Sequence, residues 1–360
     1  MKSSMHILVT GGSGAVGRPL VERLLSHGHY VRVLDLVLSE ENGRSPENLP
    51  ATAVDAIQGD ITDFATVRAA VRGMQAVIHL AAIPNPSGAE GAEIFRINAS
   101  GTFNVYEAAA QEGIRRLVSA SSINALGFNF GVRSFPIEYL PLDEQHPTFT
   151  SDPYSFSKGV TEEIAAYYWR REGISGVQLR LPGVVPLTEE FRQMVLQFEP
   201  FLQAASVRIR ELPLADRQER ARQLVAEMDA RRAERFHEKP GSYEMDEGDW
   251  PPDSNDPMKL IAFGYTDFWA VITAENSALA LEQAALAEYE GSHPLFVADG
   301  VNMLGIEAEI LASAFYPQAI RKRPLLGAEP LVSFDKARQI IGYQPGPSLD
   351  EWLLNQARSE

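Results

Sequence analysis

The chain has 360 residues, 45% hydrophobic and 22% charged, with a formal net charge of −16 and no cysteine. That length suits one large α/β domain with a smaller appended part, or two modest domains. The acidic balance opposes binding to nucleic acid or to an anionic membrane surface, and the missing cysteines exclude disulfides, thiolate nucleophiles and Cys-ligated metal sites.

In chain order, the first apolar run, Ile7–Val9, passes straight into Thr10-Gly11-Gly12 and is too short for a secretion-signal core or a membrane span. No later run reaches spanning length, and a cytoplasmic location is the expectation. Strands are predicted at His6–Thr10, Tyr30–Asp35, Val54–Gln58, Ala76–Leu80, Leu117–Ala120 and Val177–Leu181. Between them apolar residues recur at helical spacing, as in Val16, Leu20 and Leu24, or Val67 and Val71. Apolar strands alternating with helices imply a parallel sheet covered on both faces. Right-handed crossovers make it a doubly wound, Rossmann-type α/β fold.

Beyond Pro186 the sequence turns charged and helix-forming to about Lys239, with a sparse apolar stripe of Leu214, Leu224 and Met228. An acidic, proline-containing loop, 240–257, follows. This insert, about 187–258, reads either as a solvated helical hairpin or as a lid or oligomer contact over a cleft. Thr273–Tyr289 is a predicted helix, Leu295–Val297 a strand, and Phe334–Ile341 and Leu349–Gln356 closing helices. The expected organisation is a dinucleotide-binding domain over 1–182, a substrate-side region over 183–330 that includes the insert, and closing helices over 331–360.

The first strand runs into Thr10-Gly11-Gly12-Ser13-Gly14-Ala15-Val16-Gly17, which opens a helix. Gly11 allows a tight turn, Gly14 lets backbone approach a pyrophosphate, and Gly17 lets the helix sit close on the strand. The free N–H groups of the helix start, around Ser13, Ala15 and Val16, face the phosphates. Asp35 ends the next strand, where a carboxylate accepts ribose hydroxyls and repels a 2′-phosphate, so NAD is favoured over NADP. Arg32 and Arg44 are the nearest cations; Arg32 is expected to point away, and Arg44 keeps NADP open. After the third strand, Asp60 suits the adenine amino group or a helix N-cap, and Ile61 suits the face of the ring. Leu80, Ala81 and Ala82 end the fourth strand and are small enough to run against a cofactor. His79 beside them reads as a packed strand histidine.

Tyr154-Ser155-Phe156-Ser157-Lys158 places a phenol and an ammonium at i and i+4 on one helix face. A nearby ammonium lowers a tyrosine pKa, here toward neutrality, and makes it a base for a hydroxyl proton. Ser121 and Ser122 end the fifth strand, where a hydroxyl can steady the reacting oxygen; Ser122 is the first choice.

Together Thr10–Gly17, Asp35, Gly59-Asp60, His79–Ala82, Asn98, Ser121-Ser122 and Tyr154…Lys158 resemble the extended short-chain dehydrogenase/reductases, the NAD-dependent epimerase/dehydratase family. The resemblance covers nearly the whole chain outside about 187–258. It implies Tyr154 as base, Lys158 as its activator and ribose ligand, Ser122 as hydroxyl donor, and Asn98 as organiser of the site around Lys158. It also implies Val184 beside the nicotinamide, substrate contacts from Ser122, Ile123, Asn124 and Tyr154, and a homodimer built through the Tyr154 helix. The segment Ser121–Phe128 is similar to that of uronate dehydrogenases, with Ile123-Asn124 where those enzymes carry Asn-His. Gly183 stands where many sugar-nucleotide epimerases carry Asn.

The leading expectation is NAD-linked hydride transfer at a secondary alcohol or ketone of a sugar or sugar acid, with no metal. The alternatives are a nucleotide-sugar epimerase with tightly bound NAD and, from another class, a non-catalytic cofactor sensor or scaffold.

Overall fold

A computed structural model describes residues 4–38, 54–234 and 256–349. The first half alternates β1 (His6–Thr10), α1 (Gly17–Ser26), β2 (Tyr30–Asp35), β3 (Val54–Gln58), α2 (Phe64–Val71), β4 (Ala76–His79), α3 (Gly91–Phe95), α4 (Thr102–Gln111), β5 (Leu117–Ser122), β6 (Tyr139–Leu140), α5 (Pro153–Glu172) and β7 (Gly176–Leu181). The second half holds β8 (Gly183–Val185), α6 (Glu189–Glu211), α7 (Leu214–Glu234), α8 (Pro257–Ala262), β9 (Val271–Thr273), α9 (Ala274–Leu286), β10 (Ser292–Phe296), α10 (Ala308–Phe315), β11 (Ile320–Arg321) and α11 (Asp335–Ile341).

Seven strands form one parallel sheet in the order β10-β7-β5-β4-β1-β2-β3. The β1–β4 pair is where the winding reverses, and in such sheets the crevice outside the strand carboxyl ends binds ligands there. Strands β4 and β7 are buried at every residue because helices cover both faces of the sheet. One face packs Leu20, Leu24, Val31 and Val177 against Leu281 and Ala284 of α9. The other packs Leu8 of β1 against Val67, Val105 and Tyr168 from α2, α4 and α5. Burying each such side chain contributes about 1.5–3 kcal/mol, so α5 is fixed along its length before its polar residues do anything.

The domain boundary expected at residue 182 does not hold. The chain returns to the sheet after the insert, adding β10 beside β7, and α9 covers the sheet next to α1. The physical reason is that β7 would otherwise be an edge strand, and β10 pairs with it from Ser292↔Gly176 to Phe296↔Arg180.

The insert forms two consecutive helices, α6 and α7, but not the expected hairpin: α6 packs on α8, and α7 on α8 and α10, rather than on each other. Thr188 starts α6, its side chain accepting from the Phe191 N–H. The insert is only partly solvated. Ala205, Ile209, Ala221 and Leu224 are buried in a third core with Met258 and Ile261 of α8 and Leu311 of α10. Leu214 of the expected stripe is exposed, whereas Leu224 is buried and Met228 packs against the core. The predicted loop 240–255, helix residues beyond Leu349 and Arg44 lie outside the described residues. Among the described residues no helix is long and apolar enough to cross a membrane.

Candidate active site

The glycine turn is assembled by close approach of backbone to backbone. Gly11 has φ +73°, and a Cβ there would lie 2.6 Å from the Ala81 nitrogen. At Gly17 a Cβ would lie 2.3 Å from the Gly11 carbonyl oxygen. At Gly14 it would meet only that same oxygen, at 3.4 Å, so this glycine leaves an open face. Gly14 and Ala15 are exposed, Val16 is half-buried, and no side chain caps the start of α1. The first-turn N–H groups and the positive end of the helix are thus presented to an anion. The Ser13 Oγ beside them is buried with no hydrogen-bond partner. An orphaned hydroxyl, an uncapped helix start and a glycine with open space fit a bound pyrophosphate.

Asp35 lies at the end of β2, half-buried, and the Ser13 N–H donates to its Oδ2 at 2.9 Å. That bond pins the carboxylate beside the turn and leaves Oδ1 for a ribose hydroxyl. Arg32 is directed elsewhere, to Asp55 at 2.7 Å and to the carbonyls of Ala70 and Arg72. Asp60 is not the N-cap of α2: Asp63 takes that place by accepting from Ala65, while Asp60 Oδ1 accepts from the Thr62 N–H at 2.8 Å. Ile61 is buried and packed over Gly101, so it offers little surface to a ring. Leu80, Ala81 and Ala82 are half-buried at the carboxyl end of β4. His79 is held between Thr10 Oγ1 at 2.7 Å and Thr102 Oγ1 at 2.9 Å. Burial, with the Lys158 charge, pulls it down to about 3, so it is a neutral packed histidine.

Asn98 sits in a π-helical turn, Arg96–Gly101, between α3 and α4. Its Oδ1 accepts from the Ile83 N–H at 2.8 Å, and its Nδ2 donates to the Ile83 carbonyl at 3.0 Å and to Ser157 Oγ at 3.1 Å. It therefore ties the loop after β4 to α5 through Ser157, one residue from Lys158, and makes no hydrogen bond to the lysine itself. Val184 is half-buried in β8, beside Ile272 of β9.

Helix α5 starts at Asp152, whose Oδ1 accepts from the Ser155 N–H at 2.8 Å, with Pro153 in its first turn. Tyr154 and Lys158 are buried on its inner face. Ser122 lies near enough to Tyr154 to oppose the rise of its pKa, and Ser122 Oγ accepts from the Asn124 N–H at 3.1 Å. The structure turns Ile123 into the core with Leu126 and Phe128, because the 3₁₀ turn after β5 points it inward. Asn124, Ser122 and Tyr154 are all buried as well.

The expected lowering of Tyr154 by Lys158 is not met by the side chains alone. Burial pushes Tyr154 up to about 12, with the Asp152 and Asp267 charges adding to it; Ser122 is the group that pulls it down. Lys158 Nζ donates to the Ala120 carbonyl at 2.9 Å and lies 5.7 Å from the Tyr154 ring centroid. Burial also draws Lys158 itself down to about 8.

Sequence reasoning misses what holds α5 against β5. Glu162, one turn past Lys158, accepts from Arg180 Nε and Nη2 of β7, both at 2.8 Å, and from Ser121 Oγ at 2.7 Å. Ser121 thus points away from Tyr154 into a buried ion pair. The available signal is Arg180 itself, a charge inside an otherwise apolar strand, which requires a partner.

The NAD dependent epimerase/dehydratase family profile matches residues 7–198, more than half of the chain. The chain is 30% identical over 189 residues to a uronate dehydrogenase of Pseudomonas putida, spanning 52% of this chain and 65% of that one. It is 36% identical over 174 residues to the 3 beta-hydroxysteroid dehydrogenase type 7 of Rattus norvegicus, spanning 46% and 49%. The chain thus spans less than two-thirds of the length of these relatives. The structure of an epimerase from Methanothermobacter thermautotrophicus matches 99% of this chain and 92% of that chain, with a TM-score of 0.61 at 19% identity, a likeness of fold. By the profile match, with NAD as the cofactor in the family's description, this chain belongs to the NAD dependent epimerase/dehydratase family.

Proposed function

We propose that the protein is an NAD-dependent oxidoreductase that moves a hydride between the nicotinamide and a secondary alcohol or ketone of a sugar or sugar acid. The observation that carries this reading is the buried group at the carboxyl ends of the strands: Ser122 at the end of β5 beside Tyr154, with Lys158 on the same face of α5 as Tyr154. The uronate dehydrogenase among the relatives supports the substrate class.

NAD supplies the hydride acceptor and a positively charged ring when bound. The turn Gly11–Gly17 holds the pyrophosphate, Asp35 Oδ1 accepts from a ribose hydroxyl, and Ala81, Ala82 and Val184 line the cofactor's path. Tyr154 takes the hydroxyl proton as the carbinol C–H leaves as hydride, so the carbinol becomes a carbonyl and one proton is released. Ser122 donates its one hydroxyl proton to the reacting oxygen, which stabilises the charge that develops there. Lys158, ionised below about pH 8, favours the phenolate through its positive charge.

The reading includes a homodimer through α4 and α5, supported by the exposed aromatic rings of Phe103, Phe156 and Tyr167 on those helices, and a cytoplasmic setting. The test is reduced-cofactor production from a panel of uronates and aldoses. The expected result is NADH formed faster than NADPH. Faster NADPH formation contradicts the role of Asp35, and sugar interconversion without net NADH identifies an epimerase instead.

A further inference from the structure

A second polar cluster lies within electrostatic reach of Tyr154. The short turn Tyr265–Asp267 ends on Phe268 and Trp269, two consecutive non-glycine residues with φ of 57° and 51°. Large side chains rarely adopt that backbone, and here it is imposed by packing. The Trp269 ring fills the space beside Gly264, where a Cβ would lie 2.3 Å from it, and its N–H donates to the Ile261 carbonyl at 2.7 Å.

This turn presents Asp267. Protein encloses the carboxyl, and the residue as a whole is half-buried. Asn129 Nδ2 donates to Asp267 Oδ1 at 3.0 Å and to Oδ2 at 3.1 Å. The Thr266 hydroxyl donates to Asn129 Oδ1 at 2.8 Å, which fixes the amide orientation. On one side of Asn129, the Phe128 ring carries the Arg232 guanidinium of α7, 5.4 Å from its centroid. On the other, the Phe130 ring stands edge-on to Tyr154 at 5.6 Å. Three consecutive residues thus join the insert, Asp267 and the proposed base. Burial lifts Asp267 to about 6, with Asn129 and Arg232 opposing the rise, so it is largely ionised at neutral pH. A carboxylate has about four acceptor positions, and one amide group leaves some of them for other donors.

We propose that Asp267, braced by Asn129, is a specificity-determining residue that accepts hydrogen bonds from substrate hydroxyls next to the reacting carbon. The inference rests on the reading of Tyr154 as the hydride-transfer base. It selects substrates that present a neutral diol to this wall, as an aldose or uronate ring does, and disfavours those that present a carboxylate or phosphate to it.

The experiment uses the full chain with NAD and two probes, D-glucuronate and its 2-deoxy counterpart, for the unmodified protein and Asp267→Asn. A hydrogen bond to a charged acceptor is expected to give the unmodified protein about a 10- to 100-fold preference in kcat/KM for the hydroxylated probe. Asp267→Asn is expected to lose most of that preference, chiefly through KM, with NADH affinity unchanged as the check on folding. Equal turnover of both probes by the unmodified protein overturns the inference whether or not the variant folds. So does an undiminished preference in a variant that binds NADH normally. Turnover of neither probe overturns this inference for uronates, and the proposed activity then stands or falls separately on the wider sugar panel.

Discussion

The two sides of the cleft are built by different means. The cofactor side is backbone against backbone: Gly17 on Gly11, Gly11 on Ala81, and a helix start with no side-chain cap. The proposed substrate side is made of side chains from distant segments, with Asn129, Arg232 and Asp267 gathered around Phe128 and Phe130. A backbone site tolerates no added atoms, whereas a side-chain site is redesigned by substitution. One class of cofactor can therefore serve on a fold whose substrate wall varies.

The largest expected effect falls where the two sides join. Arg180→Met removes one partner of the buried Glu162 pair, and breaking such a pair costs about 3–5 kcal/mol. Denaturant unfolding should show that loss, and a change under about 1 kcal/mol would mean the network does not fix α5 on the sheet. Next come the glycines. Gly17→Ala forces a methyl into the Gly11 carbonyl and should cost about 1–3 kcal/mol. Gly14→Ala should leave stability almost unchanged but weaken NAD binding about tenfold, since its methyl enters only the proposed phosphate path. Equal effects from the two substitutions would break the distinction between packing glycine and ligand glycine.

An effect of comparable size, read as a slope, concerns pH. His79 is near 3 when folded and 6.5 when unfolded, so the unfolded chain binds more protons between those values. Its contribution is intact above about pH 6.5 and falls by about 1.4 kcal/mol per pH unit toward pH 3. Asp267 and Asp299, both raised to about 6, act in the opposite sense between their unfolded value of 3.8 and 6. The His79 share is therefore the difference in slope between the unmodified protein and His79→Gln, which is expected to lose stability less steeply on acidification.

The cofactor side was the more legible in the sequence. The bounds of β1, β2 and β3 match the predicted strands residue for residue; β1 is legible because its buried residues form an apolar run. The glycine spacing is legible because each glycine answers a local steric demand. The pair α6 and α7 is legible as helix, yet its buried face is not, since it relies on Ala205 and Ala221 among charges. Asp60 and Asp63 compete for one capping role, and only the backbone path decides between them. Asp267 is illegible from sequence, because its significance depends on Asn129, 138 residues away, and on a left-handed turn formed by Phe268 and Trp269.

The most direct test of the central claim is Tyr154→Phe, with cofactor affinity and turnover measured on the same preparation of an active substrate. Loss of a general base is expected to lower turnover about 10²- to 10⁴-fold, while NADH binds as before, because the glycine turn and Asp35 are untouched. Turnover within a few-fold of the unmodified protein would contradict the account, since hydride transfer would then not depend on the group formed by Ser122, Tyr154 and Lys158.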